Sequence, residues 1–165
     1  MRAILLIDHG SRRSEANEML QCMATLLRQM AGPSVLVHHA HMELAEPSIE
    51  VGVKACIDGG ATEIIAFPYM LSPGRHSTSD IPRLVSEAAR THPGVRVRVT
   101  AAFGIEAELC DVILRRAGIP RAETVVTEGS CACWQPEGRV GICGDACPAR
   151  AAQPSVAGGH GSAAR

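Results

Sequence analysis

Residues 3–7, AILLI, and residues 63–68, EIIAFP, decide the fold, because both are short and almost continuously apolar. Strands that read this way are usually covered on both faces, as in a parallel sheet. Two further β-prone runs, 34–41 (SVLVHHAH) and 95–100 (VRVRVT), are separated from them by longer stretches with helical spacing. This alternation of strand and helix predicts an α/β domain built on a parallel sheet.

Four stretches with apolar residues at three- and four-residue steps are predicted to be helices. They end at Gly32-Pro33, at Gly59-Gly60, near His92-Pro93-Gly94 and at Gly118. Glycine and proline at such positions are typical of helix ends. Four β/α units therefore account for residues 1 to about 118. The apolar positions of the first helix are Ala16, Met19, Leu20, Met23, Leu27 and Met30.

The order of the strands follows from their patterning. Residues 95–100 alternate Val with Arg, as an edge strand does, whereas the apolar runs at 3–7 and 63–68 suit the centre. Right-handed crossovers then predict a four-stranded sheet of order 2-1-3-4, flanked by helices, with a topological switch between strands 1 and 3. We expect ligands at the carboxyl ends of those two strands.

Composition argues against several classes of function. Sixteen Lys and Arg balance seventeen Asp and Glu, so no basic field exists to hold nucleic acid or an anionic membrane. Aromatic residues make up only 2%, which disfavours base-stacking platforms and aromatic cages. Six apolar residues before Asp8 are too few for a signal peptide or a membrane span. We expect a cytoplasmic protein without nucleic acid or membrane partners.

Two histidines follow the two central strands. His9 lies in Asp8-His9-Gly10-Ser11-Arg12 after strand 1, and His76 lies in residues 72–77, SPGRHS, after strand 3. Both positions fall at the switch point, so we expect the two rings at the mouth of one crevice. The serines that follow them, Ser11 and Ser77, are candidates to cap helix N-termini.

Glu43 is the third candidate, because it ends the segment His39-Ala40-His41-Met42-Glu43 after strand 2. Side chains alternate along a strand, so positions 39, 41 and 43 share a side. Two imidazoles with one carboxylate favour a transition-metal site. His38, His39 and His41 are less favoured as ligands, because a strand face packed against helices can hold hydrogen-bonded core histidines. The sequence has no nucleophile elbow and no phosphate-binding glycine loop, so we expect no nucleotide.

Three motifs together resemble the small CbiX-type sirohydrochlorin chelatases of the class II chelatase superfamily. They are DHGSR at 8–12, ELAEPS at 43–48 and LSPGRH at 71–76, the last followed by Asp80-Ile81-Pro82. The resemblance spans residues 1 to about 118 and implies one chelatase- or flavodoxin-like half of a two-lobed enzyme, hence a homodimer. It also implies insertion of cobalt or ferrous iron, with nickel as a further option, into sirohydrochlorin in cobalamin or sirohaem biosynthesis.

Carried over by motif, the resemblance implies that His9 and His76 hold the metal and that Glu43 assists with protons. Neutral imidazoles release an ion more readily than four thiolates would. The tetrapyrrole carries many carboxylates, for which we expect partners among Arg12, Arg13, Arg75, Ser11 and Ser77. Each arginine is also compatible with an ordinary solvated side chain. No organic cofactor is needed.

The C-terminal part is a separate Cys-containing segment, residues 119–148, followed by a low-complexity tail, residues 149–165, that we expect to be disordered. Cys131, Cys133, Cys143 and Cys147 have the spacing C-x-C-x9-C-x3-C. An iron-sulfur cluster is the first interpretation, with zinc or no metal as alternatives. The other three cysteines lie on or beside apolar helix stripes and are predicted to be inert core residues; they are Cys22, Cys56 and Cys110.

Two other classes of function are compatible with these residues. A metal carrier or sensor would use the same histidines without catalysis and would use the Cys segment to report redox state. A flavodoxin-like binder of phosphate or flavin is the third interpretation. Turnover separates the enzyme from the carrier, because a carrier takes up at most one equivalent of metal.

Overall fold

The computed structural model describes residues 1–104 and 106–122. The elements alternate along the chain as β1 (Arg2–Asp8), α1 (Ser14–Ala31), β2 (Val35–His41), α2 (Ile49–Asp58), β3 (Glu63–Pro68), α3 (Ile81–Ala89), β4 (Arg96–Val99) and α4 (Ala107–Ala117). The four predicted β/α units are therefore confirmed. Among the described helices, none is both long and apolar enough to cross a membrane.

The sheet is parallel throughout and has the order β2-β1-β3-β4, which confirms the predicted order. In its register Asp8 lies opposite His41, and Ile7 lies opposite Pro68. The carboxyl ends of β1, β2 and β3 therefore meet at one edge of the sheet. The loops that leave this edge contain the motifs singled out from the sequence.

Both faces of the central strands are buried, as their continuous apolar sequence predicts. Leu5 and Ile7 of β1 face α2 and α3 and pack with Val53 and Val85. Leu6 points to the other face, where a smaller cluster forms with residues of α1. Burial of each such side chain stabilises the fold by about 1.5–3 kcal/mol. The sheet edge is thus anchored from both sides.

The apolar stripe of α1 is only partly buried. Leu20 and Ala24 are buried, but Met19 is 73% exposed and Met30 is 75% exposed. The contacts of α1 are mostly to β2, an edge strand, so the helix lies over one side of the sheet. The apolar stripe of α1 is therefore wider than the part of the sheet that the helix covers. In α4, likewise, no residue is buried.

The prediction for the helical cysteines was right for one of three. Cys56 is buried in α2, and this burial raises the pKa of its thiol to about 12. Cys22 and Cys110 are exposed, so the prediction that they are core residues was wrong. Cys22 lies on α1 and Cys110 lies on α4, and both helices leave part of their apolar surface uncovered.

A π-helical turn, His76–Asp80, runs directly into α3. The N–H of Ile81 donates to the carbonyl oxygen of His76, a five-residue step. Pro82 lies in the first turn of α3, where its missing N–H costs least. The wide turn places His76 at the start of the helical segment, facing the edge of the sheet.

Candidate metal centre

The imidazoles of His9 and His76 lie together at the carboxyl ends of β1 and β3. Their ring centroids are 5.2 Å apart and the rings meet at 71°. Metal-imidazole bonds of about 2.0–2.1 Å put two rings that share one ion at a tetrahedral angle roughly 5 Å apart. The separation of the ring centroids therefore matches that of two imidazoles that share one divalent ion.

Glu43 contacts one of these two rings. Its Oε1 lies 2.8 Å from Nε2 of His9, and both side chains are about half exposed. The backbone N–H of Glu43 also donates to the carbonyl oxygen of His9, at 3.2 Å. The carboxylate thus sits on the nitrogen of His9 that an ion would use, within reach of a proton held there.

Asp80 orients the other ring, and the sequence analysis gave it no role. Its Oδ2 lies 3.0 Å from Nδ1 of His76. A carboxylate that accepts from Nδ1–H leaves Nε2 with its lone pair, which is the usual arrangement behind a metal-binding histidine. The signal in the sequence is the i,i+4 spacing at a helix start, which brings two side chains onto one face.

The candidate site is open: two imidazoles lie together, and the carboxylate of Glu43 contacts only one of them. In residues 1–104 and 106–122, no three side chains of His, Cys, Asp or Glu converge closely enough to enclose an ion. An ion between His9 and His76 would therefore keep several positions for water or for another donor. Such a site suits temporary binding better than permanent storage.

The arginines that were predicted to contact substrate surround this edge in exposed positions. Arg12 and Arg13 follow β1, and Arg75, with a side chain 85% exposed, precedes His76. Nε of Arg75 lies 3.8 Å from Oδ2 of Asp80, a loose contact. Arg75 adds positive charge next to His76, whereas Arg12 lines the cleft beside the first turns of α1 and Arg13 lies against the start of α1.

Neither predicted serine caps a helix. Ser11 Oγ accepts from the N–H of Arg13, and the structure gives the α1 N-cap, Arg13, no side-chain cap. Ser77 is buried, and its hydroxyl accepts from the N–H of Gly74 and donates to the carbonyl oxygen of Gly74. Ser77 therefore closes the turn before the π-helical segment.

His39 and His41 of β2 form a separate pair on the face toward α1, and His38 alternates to the opposite face of the strand. His41 is 1% exposed and pairs with Asp8, and its ring centroid is 5.8 Å from that of His39. Burial lowers the pKa of both His38 and His39 from 6.5, with smaller contributions from nearby positive groups, which include Arg28 for each of them. His39 and His41 line a polar cleft of about 390 Å³ beside the first turns of α1.

Sheet order and site together describe a parallel α/β domain with a metal-compatible imidazole pair at its topological switch point. Within that class, the chain belongs to the CbiX family, whose sequence profile matches residues 3–118. The matched range coincides with the four β/α units, and it contains His9, Glu43 and His76.

Curated relatives carry the names of two chelatase activities. The chain is 41% identical over 110 residues to the chloroplastic sirohydrochlorin ferrochelatase of Arabidopsis thaliana, which covers 67% of this chain and 48% of that protein. It is 37% identical over 92 residues to the sirohydrochlorin cobaltochelatase of Methanocaldococcus jannaschii, which covers 56% of this chain and 64% of the relative. The chain spans about half the length of the plant relative.

Solved structures agree with the fold. SirB from Bacillus subtilis subspecies spizizenii, a sirohydrochlorin chelatase in complex with cobalt, matches with a TM-score of 0.65 and 30% identity, over 71% of this chain and 50% of that one. A CbiX protein from Marinobacter aquaeolei VT8 matches with a TM-score of 0.60 and 26% identity, over 72% of this chain and 95% of that one. The domain thus corresponds to half of one and nearly all of the other.

Proposed function

We propose that the protein inserts a divalent metal, cobalt or ferrous iron, into sirohydrochlorin, as a chelatase of cobalamin or sirohaem biosynthesis. The observation that carries this proposal is the 5.2 Å separation of the His9 and His76 rings at the switch point of the sheet. The names of the relatives support sirohydrochlorin as the substrate. They also support both metals, and nickel is a third ion to test.

The first step is capture of the ion by His9 and His76. Two imidazoles bind a first-row ion without enclosing it, so water or a pyrrole nitrogen can take the remaining positions. Asp80 keeps Nε2 of His76 available through its bond to Nδ1. The ion can then pass from the protein to the macrocycle one bond at a time, since two protein bonds are fewer than the four that the macrocycle offers.

The second step is removal of protons from the macrocycle. Two pyrrole N–H groups lose their protons as a doubly charged ion enters, so the charge balances and two bases are needed. Glu43 accepts one proton, and Nε2 of His9, once the ion has left it, accepts the other. Both groups are about half exposed, so the protons pass on to solvent.

Positive charge around the edge supports binding of the substrate. Sirohydrochlorin is an anion with several carboxylates, and guanidinium groups bind carboxylates by paired charge-assisted hydrogen bonds. Arg12 and Arg13, which follow β1, and Arg75, which precedes His76, are exposed and are the proposed partners, together with Ser11. Ser77 completes the proposed set, and its hydroxyl is paired with Gly74.

A homodimer is the proposed assembly, with the uncovered face of α1 and the sheet as its contact surface. That face holds an apolar groove of about 570 Å³, lined by residues that include Met23, Met30, Phe67, Tyr69 and Phe103. A second copy is the proposed occupant because the chain spans half of the cobalt-bound SirB chain. A second lobe of this fold would supply the missing half.

The dimer is tested by its mass in solution. Met23→Glu puts a charge into the groove and is expected to convert a dimer into a monomer in light scattering after gel filtration. Val51→Glu, which changes a half-exposed residue of α2 on the opposite layer, is the matched control and should remain a dimer. A monomeric wild type, or a Met23→Glu dimer, contradicts the proposed surface.

The Cys-containing segment, residues 119–148, and the tail, residues 149–165, lie outside the described residues from position 123 onward. The spacing of Cys131, Cys133, Cys143 and Cys147 supports the proposal that they bind an iron-sulfur cluster. The test is absorption between about 300 and 600 nm, together with iron and sulfide analysis, of the anaerobically purified chain. We expect about one cluster per chain.

A cytoplasmic location also stays a prediction.

The proposed reaction is tested by turnover. Sirohydrochlorin with Co²⁺, Fe²⁺ or Ni²⁺ changes its absorption spectrum when the metal enters, so a catalytic amount of enzyme should convert many equivalents. His76→Ala is expected to abolish this conversion and to keep the fold, because the half-exposed ring contributes little burial. Conversion that stops at one equivalent of metal would support the carrier instead. Unchanged turnover in His76→Ala would contradict the site.

A further inference from the structure

We propose that Asp8 and His41 are a positioning pair that holds His9 at the correct place for metal binding. Neither residue touches the ion or the tetrapyrrole in this account. The inference rests on the proposed function, since it assigns the support behind one of its metal-binding rings. It is carried by the contacts of a buried histidine at the end of β2.

The buried side chain is His41. It is 1% exposed, and its Nδ1 lies 2.6 Å from Oδ1 of Asp8. A buried imidazole that lost this partner would keep an unsatisfied polar atom, which is costly. The ring therefore fixes the side-chain rotamer of Asp8, whose backbone lies directly opposite that of His41 in the β1–β2 register.

Asp8 in turn fixes the loop that contains His9. The N–H of Gly10 donates to Oδ1 of Asp8 at 2.9 Å, so the two residues close a turn around His9. The same oxygen thus receives two hydrogen bonds, one from the ring of His41 and one from the backbone of the loop. A shift of the carboxylate would move the loop with it.

The loop is also held against the segment after β2. The N–H of Met42 donates to the carbonyl oxygen of Asp8, and the N–H of Glu43 donates to that of His9. Gly10 has φ +82, and a Cβ at this residue would lie 2.0 Å from the carbonyl oxygen of Glu43. The backbone around His9 is therefore tightly packed in one conformation, and the side chain of Asp8 fixes the beginning of this loop.

An open site makes this support important. Within the described ranges, no third side chain completes a set of ligands around the ion. If one of the two rings moves, no other ligand keeps the ion in place. Loss of the hydrogen-bonding partners behind metal ligands typically weakens metal binding or activity by 10–100-fold. We expect losses of that size when the Asp8–His41 pair is broken, even though His9 and His76 are unchanged.

The test compares four variants of the full chain with wild type. Asp8→Ala removes both hydrogen bonds, and His41→Phe keeps the volume of the buried ring but removes its bond. Asp8→Asn keeps an acceptor oxygen and is the conservative variant. His39→Phe is the matched control, because this ring lies two residues earlier on the same face and its side chain has no hydrogen bond to the loop in the described structure.

Three quantities are measured: Co²⁺ affinity by titration of the metal-free protein, the insertion parameters kcat and KM, and the unfolding temperature. Asp8→Ala and His41→Phe should bind Co²⁺ about 10–100-fold more weakly and raise KM for the metal, with KM for sirohydrochlorin unchanged. Asp8→Asn should recover most of the affinity, and His39→Phe should bind Co²⁺ as wild type does.

Two results would overturn the inference. One is wild-type Co²⁺ affinity in both Asp8→Ala and His41→Phe, whatever their unfolding temperature. The other is an equal loss in His39→Phe, which would mean that any change in this part of β2 has the same effect. A wild type that binds Co²⁺ but never turns over would reject the proposed reaction, while the affinity comparison would still decide the role of the pair.

Discussion

Asp80 provides the sharpest test of how the second imidazole is held. Its carboxylate lies 3.0 Å from Nδ1 of His76 and its side chain is only 20% exposed, so the hydrogen bond is partly shielded from solvent. Asp80→Ala leaves His76 in the π-helical turn but removes the partner that keeps the lone pair on Nε2. The ring is then free to rotate and to present either nitrogen.

The size of the expected effect follows from the role of this carboxylate. Loss of such a partner weakens metal binding by about 10–100-fold, which corresponds to about 1.4–2.7 kcal/mol of binding free energy. The effect on folding should be smaller, because the His76 side of the pair is half exposed and water there limits such a pair to about 0–1 kcal/mol. Asp80→Ala should therefore lose metal affinity without a matching loss of stability.

The assay is a Co²⁺ titration followed by its absorption, together with thermal unfolding of the same samples. Asp58→Ala is the matched control, because Asp58 forms an i,i+4 ion pair with Lys54 on α2, away from the site. It should change Co²⁺ affinity by less than about twofold. Unchanged affinity in Asp80→Ala, or equal losses in both variants, would refute the reasoning.

Three further predictions concern the loop, the pH dependence and the thiols. Gly10→Ala should abolish insertion and lower the unfolding temperature, since the added Cβ meets the carbonyl oxygen of Glu43 at φ +82; a fully active variant would contradict this. Burial lowers the pKa of His39, so the folded state resists protonation of this ring, and the free energy of unfolding falls as the pH falls below 6.5. His39→Gln should make that decline smaller, as measured by urea unfolding. Alkylation of the native protein, mapped by mass spectrometry, should label Cys110 and leave Cys56 unlabelled until the chain unfolds.

The fold could be predicted because its signals are local. The continuously apolar runs of β1 and β3 require a cover on both faces, and the alternating Val and Arg of β4 require an edge. Together with the handedness of crossovers, these patterns leave one order for the strands. The positions of His9 and His76 then follow from the rule that ligands bind at the switch point.

The remaining features depend on how elements meet, which no periodicity reveals. The pairing of Asp8 with His41 depends on the register between two strands separated by a helix. The exposure of Met19 and Cys22 depends on how far α1 extends beyond the sheet surface that it covers. The role of Ser77 depends on the geometry of a turn that differs from an ordinary helix start.

The imidazoles of His9 and His76 belong to loops that leave neighbouring strands, β1 and β3, and a continuous ladder of backbone hydrogen bonds joins these strands. The strands give both loops fixed starting points, so differences in ionic radius are taken up by the loops and by rotation about the side-chain bonds. Replacement of a few loop residues could therefore retune which ion is preferred while the scaffold stays the same.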